Sequence, residues 1–264
     1  MGRVSRLTTV IIAKDEAERI AGCIESVASV SDETLVVDSG SSDDTVAIAQ
    51  RLGCRVLVNP WPGYGPQRNF GADHATHDWI LWLDADERVG EDLGRSLAEW
   101  KGRSPTDAVA FRVRRIGDFM GHWLPEAAEW QIRLYDRRRC GVLERLVHER
   151  VDPQQGAVSA LEGTLWHAGF RSLHDHVDRF NRATSLDARV AAQEGRRFSL
   201  ARLLARPPLR FAQRYLLQRL YRHSVAGLAV ALLWAYYEAM RELKLLELEW
   251  HARRDPPGGT PGEP

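Results

Sequence analysis

The chain has 264 residues, 44% of them hydrophobic and 27% charged, and its 36 basic side chains balance 36 acidic ones. That length holds one substantial α/β domain and an appendage, and the composition excludes a disordered, collagen-like or disulfide-stapled protein. Three widely spaced cysteines, Cys23, Cys54 and Cys140, fit no disulfide framework and no metal-ligand spacing, so they are expected to be packing thiols in a reducing compartment.

At the N-terminus Arg3 and Arg6 precede an apolar stretch too short for a signal peptide, and no apolar run reaches the roughly 20 residues of a spanning helix. Leu7 to Ala13 reads as a buried strand, rich in β-branched residues and ending at Lys14-Asp15-Glu16. Ile20, Cys23, Ile24, Val27 and Val30 then recur at helical spacing. A second strand, 34–38, ends at Asp38 and is followed by Ser39-Gly40-Ser41-Ser42-Asp43-Asp44, rich in helix-capping residues, before a helix predicted over 44–52. Strands at 55–58 and 79–84 follow. Alternating strands and helices imply a parallel sheet flanked on both faces, with ligands bound beyond the carboxyl ends of the strands. Asp15, Glu16, Asp38, Asp84 and Asp86 all stand where a strand gives way to a loop, so their carboxylates are expected on one rim.

Beyond residue 105 the pattern is mixed, with strand-like segments at 108–113, 134–135 and 165–167 around a Gly/Trp-rich loop, 117–129. Residues 172–250 read as helical, and 252–264 lack the apolar residues to build a core.

Asp84-Ala85-Asp86 is the central motif. Hard divalent cations bind through one or two carboxylates together with substrate phosphates, and such an ion neutralises a departing diphosphate. A D-x-D pair alone is a weak signal that reads better as a solvated loop; its position after Trp79-Ile80-Leu81-Trp82-Leu83 gives it weight.

In chain order, Thr8 to Glu16, Val37 to Thr45, Gln67-Arg68-Asn69 and Leu83 to Glu87 resemble the family 2 glycosyltransferases. The resemblance implies an α/β GT-A fold: a Rossmann-like, mostly parallel mixed sheet flanked by helices. It also implies an inverting, metal-dependent transferase. By that likeness Thr8 or Thr9 and Glu16 contact the nucleoside, Asp38 accepts a hydrogen bond from the base, and Arg68 lies near the diphosphate. Asp84 faces the ribose and Asp86 ligates Mg²⁺ or Mn²⁺, the donor being expected to be UDP-linked. Asp38 as a plain turn residue is the alternative.

The acceptor half is less distinct. An inverting transferase needs a carboxylate to deprotonate the acceptor hydroxyl. Glu129 is the first candidate and Glu126 its competitor, with Asp136 and Glu149 behind them. His148 is either a metal or diphosphate ligand or a structural histidine. Arg133 and Arg137 to Arg139 are suited to phosphate, the latter three equally to a solvated turn.

Between Gly195 and Tyr237 lie eight arginines and no acidic residue. Arg202, Arg206, Arg210 and Arg214 recur every fourth residue among leucines, a pattern that reads as a basic amphipathic helix on an anionic membrane, kinked or split at Pro207-Pro208. A helical cap with its arginines in water is the alternative, and no nucleic-acid motif accompanies them. The expected layout is a catalytic region, 1–170, a helical membrane-associating and acceptor region, 171–251, and a disordered tail, 252–264. The whole resembles lipopolysaccharide inner-core glucosyltransferases, which implies a glucose donor, a lipid-linked glycan acceptor, and peripheral or monotopic attachment at the cytoplasmic face of the inner membrane. A transferase acting on polyprenyl-phosphate or another envelope glycan, a non-catalytic sugar-nucleotide or glycan-binding protein, and a nucleotidyltransferase are the competing readings; the last lacks its Gly-rich loop after the first strand.

Overall fold

The computed structural model describes residues 5–102, 107–143, 151–153, 156–169 and 172–254. Its contacts divide the chain into two compact units, Met1–Asp118 with Ala128–Gly169, and Phe119–Ala127 with Phe170–Pro264.

The first unit is built on a mixed sheet. Its strands are β1 (Leu7–Ala13), β2 (Glu33–Asp38), β3 (Arg55–Val58), β4 (Trp79–Asp84), β5 (Glu87–Val89) and β6 (Ala108–Phe119). β8 (Glu129–Asp136) and β11 (Ala157–His167) complete it, β9 (Cys140–Val142) and β10 (Val151–Pro153) form a separate ribbon, and the short β7 (His122–Trp123) belongs to the second unit. The order is β3-β2-β1-β4-β8-β6-β11-β5. The first four strands are parallel, and β8 runs antiparallel to both β4 and β6. β11 is parallel to β6, so the carboxyl ends of β1, β2, β4, β6 and β11 share a rim with the amino end of β8.

β1 is buried along its whole length because both faces are covered: Leu7, Ile11 and Ala13 join one core cluster, Val10 and Ile12 the other. Helices α1 (Ile20–Val27), α2 (Thr45–Arg51), α3 (Tyr64–His74) and α4 (Glu91–Gly102) flank this half. α1 turns Ile20, Cys23, Ile24 and Val27 inward at the spacing its sequence predicts. α3 crosses close to β1 and β2 because Gly71 presents no Cβ; one there would collide with the Val10 and Val37 side chains. That close approach carries Arg68, one turn earlier on α3, onto the end of β4. All three cysteines are buried and free.

The second unit is helical: α5 (Leu173–Gln193), α6 (Leu200–Ala212), a π-helical turn (Gln213–Leu217), a 3₁₀ turn (Leu220–His223) and α7 (Ser224–Arg254). Serines cap α5 and α6, Ser172 accepting from the Asp175 amide and Ser199 from that of Arg202. α5 is tied to α7 by the Tyr237 hydroxyl on Asp187 at 2.7 Å and by Lys244 Nζ on Asn181, Thr184 and Ser185. The predicted break at Pro207-Pro208 does not occur: α6 runs through both prolines. The carbonyls deprived of a donor lie on an exposed stretch that water reaches, and arginine clamps to α7 hold the helix on either side of the prolines. Residues 252–254, assigned to the tail, continue α7, and 255–264 lie outside the described residues. Among the described residues no helix is long and apolar enough to cross a membrane.

Three of the four repeating arginines, Arg202 and Arg210 of α6 and Arg214 of the π turn, also depart from expectation. Arg202 reaches buried Glu242 at 2.9 Å, Arg210 reaches buried Glu238 at 2.7 Å, and Arg214 lies over the Trp234 ring at 4.2 Å. They lie against α7, Arg202 and Arg210 with 31% of their side chains still exposed, because a buried carboxylate without a cation is costly.

Candidate active site

Two loops at the carboxyl ends of β1 and β2 are laced together. Ser41 Oγ accepts from the Asp15 amide at 2.8 Å, and Asp15 accepts from the Ser42 amide at 2.8 Å. Thr45 Oγ1 accepts from the Glu16 amide, and Asp43 from the Ala17 amide. Asp15 holds a φ of 51°, a left-handed conformation that the lacing maintains. Asp38 is buried at the end of β2, accepting from the amides of Gly40 and Ser41 at 2.8 Å and from the Ser41 hydroxyl at 2.5 Å. It therefore shapes its own turn. A carboxylate offers about four acceptor sites, and the turn itself takes three of them.

β4 delivers the D-x-D. Asp84 Oδ1 accepts from Arg68 at 2.8 Å, and Arg133 stands 3.8 Å from Oδ2. Burial alone would raise the Asp84 pKa, but the Arg68 and Arg133 guanidiniums outweigh it and hold the carboxyl well below the usual carboxylate range. Both guanidiniums lie 3.7 Å from the Trp82 ring, one from α3 and one from β8. Arg133 is aimed there by a bulge: the β6–β8 register passes from Phe111↔Leu134 to Arg112↔Ile132, leaving Arg133 as the extra residue.

Glu87, fully buried, ties the network together. Its Oε1 accepts from Arg133 at 2.5 Å and from Arg115 at 2.6 Å, and its Oε2 accepts from the Asp84 amide at 3.0 Å. Arg133 is only 1% exposed, and desolvation pushes its pKa down to about 10 against the pull of Glu87 and Asp84. Its charge answers buried Glu87 and partly exposed Asp84.

Asp86 differs from its neighbours. Its Oδ2 lies 3.4 Å from His167 Nε2 and 3.8 Å from Arg19, while Oδ1 is buried with no hydrogen-bond partner among the described residues. A buried carboxylate oxygen left open costs free energy, and a hard cation is a partner that would fill it. The donor set fits such a group: one carboxylate and one imidazole, with diphosphate oxygens to complete the shell. Among the described residues no group of three or more such ligands forms a closed protein site.

The other assignments sort by geometry. Glu16 stands near Asp86, both within 3.8 Å of Arg19. Thr8 and Thr9 do not belong to this rim. They are fully buried at the start of β1, bonded to Glu33 and Ser31, and about 15 Å of strand separates them from Ala13 at the rim end. Their assignment to the nucleoside followed sequence proximity to the motif, not strand direction. Arg137 and Arg138 are also at the opposite edge, beside Asp78, because Asp136 pairs with Trp79 at the start of β4. An open cavity of about 370 Å³ between Ile24, Asp32 and Arg55 lies at that edge too, away from the carboxylates. His148 and Glu149 lie outside the described residues.

Glu129 opens β8 on the rim. It is exposed and directly opposite Arg115 on β6, a pairing that places their Cβ atoms about 5 Å apart. Arg115 in turn bonds Glu87, so Glu129 stands one residue from the network that holds the D-x-D. Glu126 belongs to the helical unit, where His223 Nε2 lies 2.5 Å from it and Arg222 4.0 Å. The His223 hydrogen bond lowers its pKa despite opposing burial, making it a weaker proton acceptor.

Sequence reasoning missed His167, Glu87, Arg115 and Arg19. The rule that functional groups stand at strand ends identifies His167 once β11 is known to run parallel to β6, which only the topology reveals.

Residues 8–157 match the model of glycosyl transferase family 2. An uncharacterized glycosyltransferase of Rickettsia typhi is 28% identical over 263 residues, covering 95% of this chain and 90% of its own. The lipopolysaccharide core biosynthesis glycosyltransferase LpsC of Rhizobium meliloti is 28% identical over 250 residues, covering 91% and 92%. Among solved structures, glucosyl-3-phosphoglycerate synthase of Mycobacterium tuberculosis with phosphoglyceric acid superposes with a TM-score of 0.50 at 16% identity, over 74% of this chain and 82% of that one. That likeness concerns the fold, a GT-A Rossmann-like mixed sheet flanked by helices. With the family's model matching more than half of its length, the chain belongs to glycosyltransferase family 2.

Proposed function

We propose that the protein is an inverting, metal-dependent glycosyltransferase that moves a hexose, glucose from a UDP-linked donor, onto a lipid-linked glycan of the lipopolysaccharide inner core at the cytoplasmic face of the inner membrane. The observation that carries the catalytic part is Asp86: a carboxylate on the strand-end rim with one buried oxygen unclaimed and His167 beside it, in a network where Asp84 and Glu87 are already bonded to arginines. Asp86 and His167 would hold Mg²⁺ or Mn²⁺. When bound, the ion supplies Lewis-acid neutralisation of the departing diphosphate.

The chain's own residues do the rest. Asp38 offers its remaining acceptor site to the nucleobase, and the laced loops keep that oxygen in place. Asp84, kept ionised by Arg68 and Arg133, accepts from the ribose. Glu129 takes the proton from the acceptor hydroxyl as its oxygen bonds to the anomeric carbon from the face opposite the leaving diphosphate. The likeness to LpsC supports the acceptor class.

The test is a panel of nucleotide-sugars with Mg²⁺ or Mn²⁺ against EDTA, reading nucleotide release and thermal shift. Metal-dependent release from UDP-glucose is the expected result. If no nucleotide-sugar shifts the melting temperature with either metal, the assignment is wrong.

A further inference from the structure

Arg202 and Arg210 of α6 and Arg214 of the π turn lie against α7, and that leaves the opposite face of the same helix to be explained. The residues exposed along it are Leu200, Ala201, Leu204, Ala205, Pro208 and Leu209, at the spacing of a single helical face. Gln213, Leu216 and Leu217 continue the exposed run through the π turn. Five leucines on this run are 57 to 79% exposed. The stripe is about 26 Å long at 1.5 Å per residue, and none of its exposed side chains is charged. Contiguous apolar surface of this kind on a folded unit marks an interaction site.

The ionised groups around it decide which partner fits. Arg197 precedes the stripe and Arg219 and Arg222 follow it, all exposed; Arg222 is the one near a carboxylate, 4.0 Å from Glu126. The acids that pack on α6, Glu238 and Glu242, are buried against arginines and contribute no surface charge. The stripe is therefore an uncharged leucine face with cations at both ends, and among the described residues no helix is long and apolar enough to cross a bilayer. A helix lying in the headgroup layer has that distribution: leucines among the acyl chains, guanidiniums at the phosphates.

We infer that the outward face of α6 and its π turn, Leu200 to Leu217, is a docking surface for an anionic lipid bilayer, and that Arg202, Arg210 and Arg214 are struts that hold it against α7. This reverses the roles that the fourfold arginine repeat implies for the same helix. The inference rests on the proposed membrane-held acceptor, and it names the side chains that enter the lipid.

The test uses the full chain in flotation with phosphatidylcholine vesicles, with and without phosphatidylglycerol. The wild type is expected to float with the anionic vesicles, and Leu204→Glu with Leu209→Glu to lower that partition by roughly 10-fold or more. Arg197→Gln with Arg219→Gln is expected to reduce the preference for phosphatidylglycerol. Because the native cysteines are buried, a polarity-sensitive dye on Leu204→Cys reports the same contact without a charged substitution: its emission shifts to the blue with vesicles, while the dye on Arg189→Cys of α5 is unchanged. A wild type that stays with the soluble fraction, a double variant that floats undiminished, or a dye at 204 blind to vesicles would overturn the inference. So would sedimentation showing a dimer that the double variant dissolves, which gives the face to a second copy. Nucleotide release in solution separates the two proposals: turnover without flotation defeats the docking face alone, and flotation without turnover defeats the transferase reading alone.

Discussion

Arginine clusters occur in both units, and they do different work. On the β-sheet rim Arg68, Arg115 and Arg133 converge on Asp84 and Glu87, so three cations hold two acids and leave Asp86 with an open oxygen. In the helical unit Arg202 and Arg210 each close on a buried glutamate of α7. The first network is built around an incomplete member; the second joins helices through completed pairs. A buried arginine therefore indicates function when a neighbouring acid is left wanting, and architecture when every pair is closed.

The sharpest way to break this comparison is Glu87→Ala. It strands the Arg115 and Arg133 guanidiniums, and removing one partner of a buried ion pair costs about 3–5 kcal/mol, to be read from urea titration. A cost below about 1 kcal/mol would mean that the rim does not depend on this acid. Asp86→Asn is expected to leave the fold intact and lower metal-dependent turnover by roughly 10²–10³-fold, with the Mn²⁺-induced thermal shift lost as well. Undiminished turnover would falsify the metal assignment.

Glu129→Gln is expected to cost about 10²-fold in kcat with donor affinity retained, against a mild effect of Glu126→Gln. The reverse pattern transfers the base to Glu126. Glu242→Ala supplies the contrast from the helical unit: a stability loss of about 1–3 kcal/mol, because Arg202 retains partial access to water, with the donor-induced thermal shift unchanged. Loss of donor binding there would erase the distinction between the two networks.

The smallest effect is a pH slope. Burial, opposed by Asp175 and aided by Arg179, pushes the His176 pKa down to about 4 from 6.5. As pH falls the unfolded chain takes up this proton first, so the contribution is whole above pH 6.5 and is lost between 6.5 and 4. His176→Phe, set among Phe119 and Phe180, is expected to flatten urea midpoints across that window; an unchanged slope would assign it to other groups.

Much of the rim was legible before the structure. β1, β2 and β4 were readable as strands because buried parallel strands are short β-branched runs, each closed by polar residues at its carboxyl end. Thr8 and Thr9 were misread because a motif's residues are adjacent in sequence while the two ends of its strand lie far apart in space. The direction of Arg133 was not legible because a bulge, invisible in residue order, decides where it points. α6 was misread because a four-residue repeat identifies a helical face without saying whether that face meets water, lipid or another helix.

The sequence by itself determined the strand ends, the D-x-D that follows β4, the helical character of the C-terminal third and the family, since these depend on local periodicity and on motifs contiguous in the chain. Only the tertiary structure decided that His167 stands beside Asp86, that Glu87 gathers two arginines from other strands, and that Arg202 and Arg210 of α6 face Glu242 and Glu238. Each of these joins residues remote in sequence, and which buried charge finds which partner is settled by packing and desolvation across the fold.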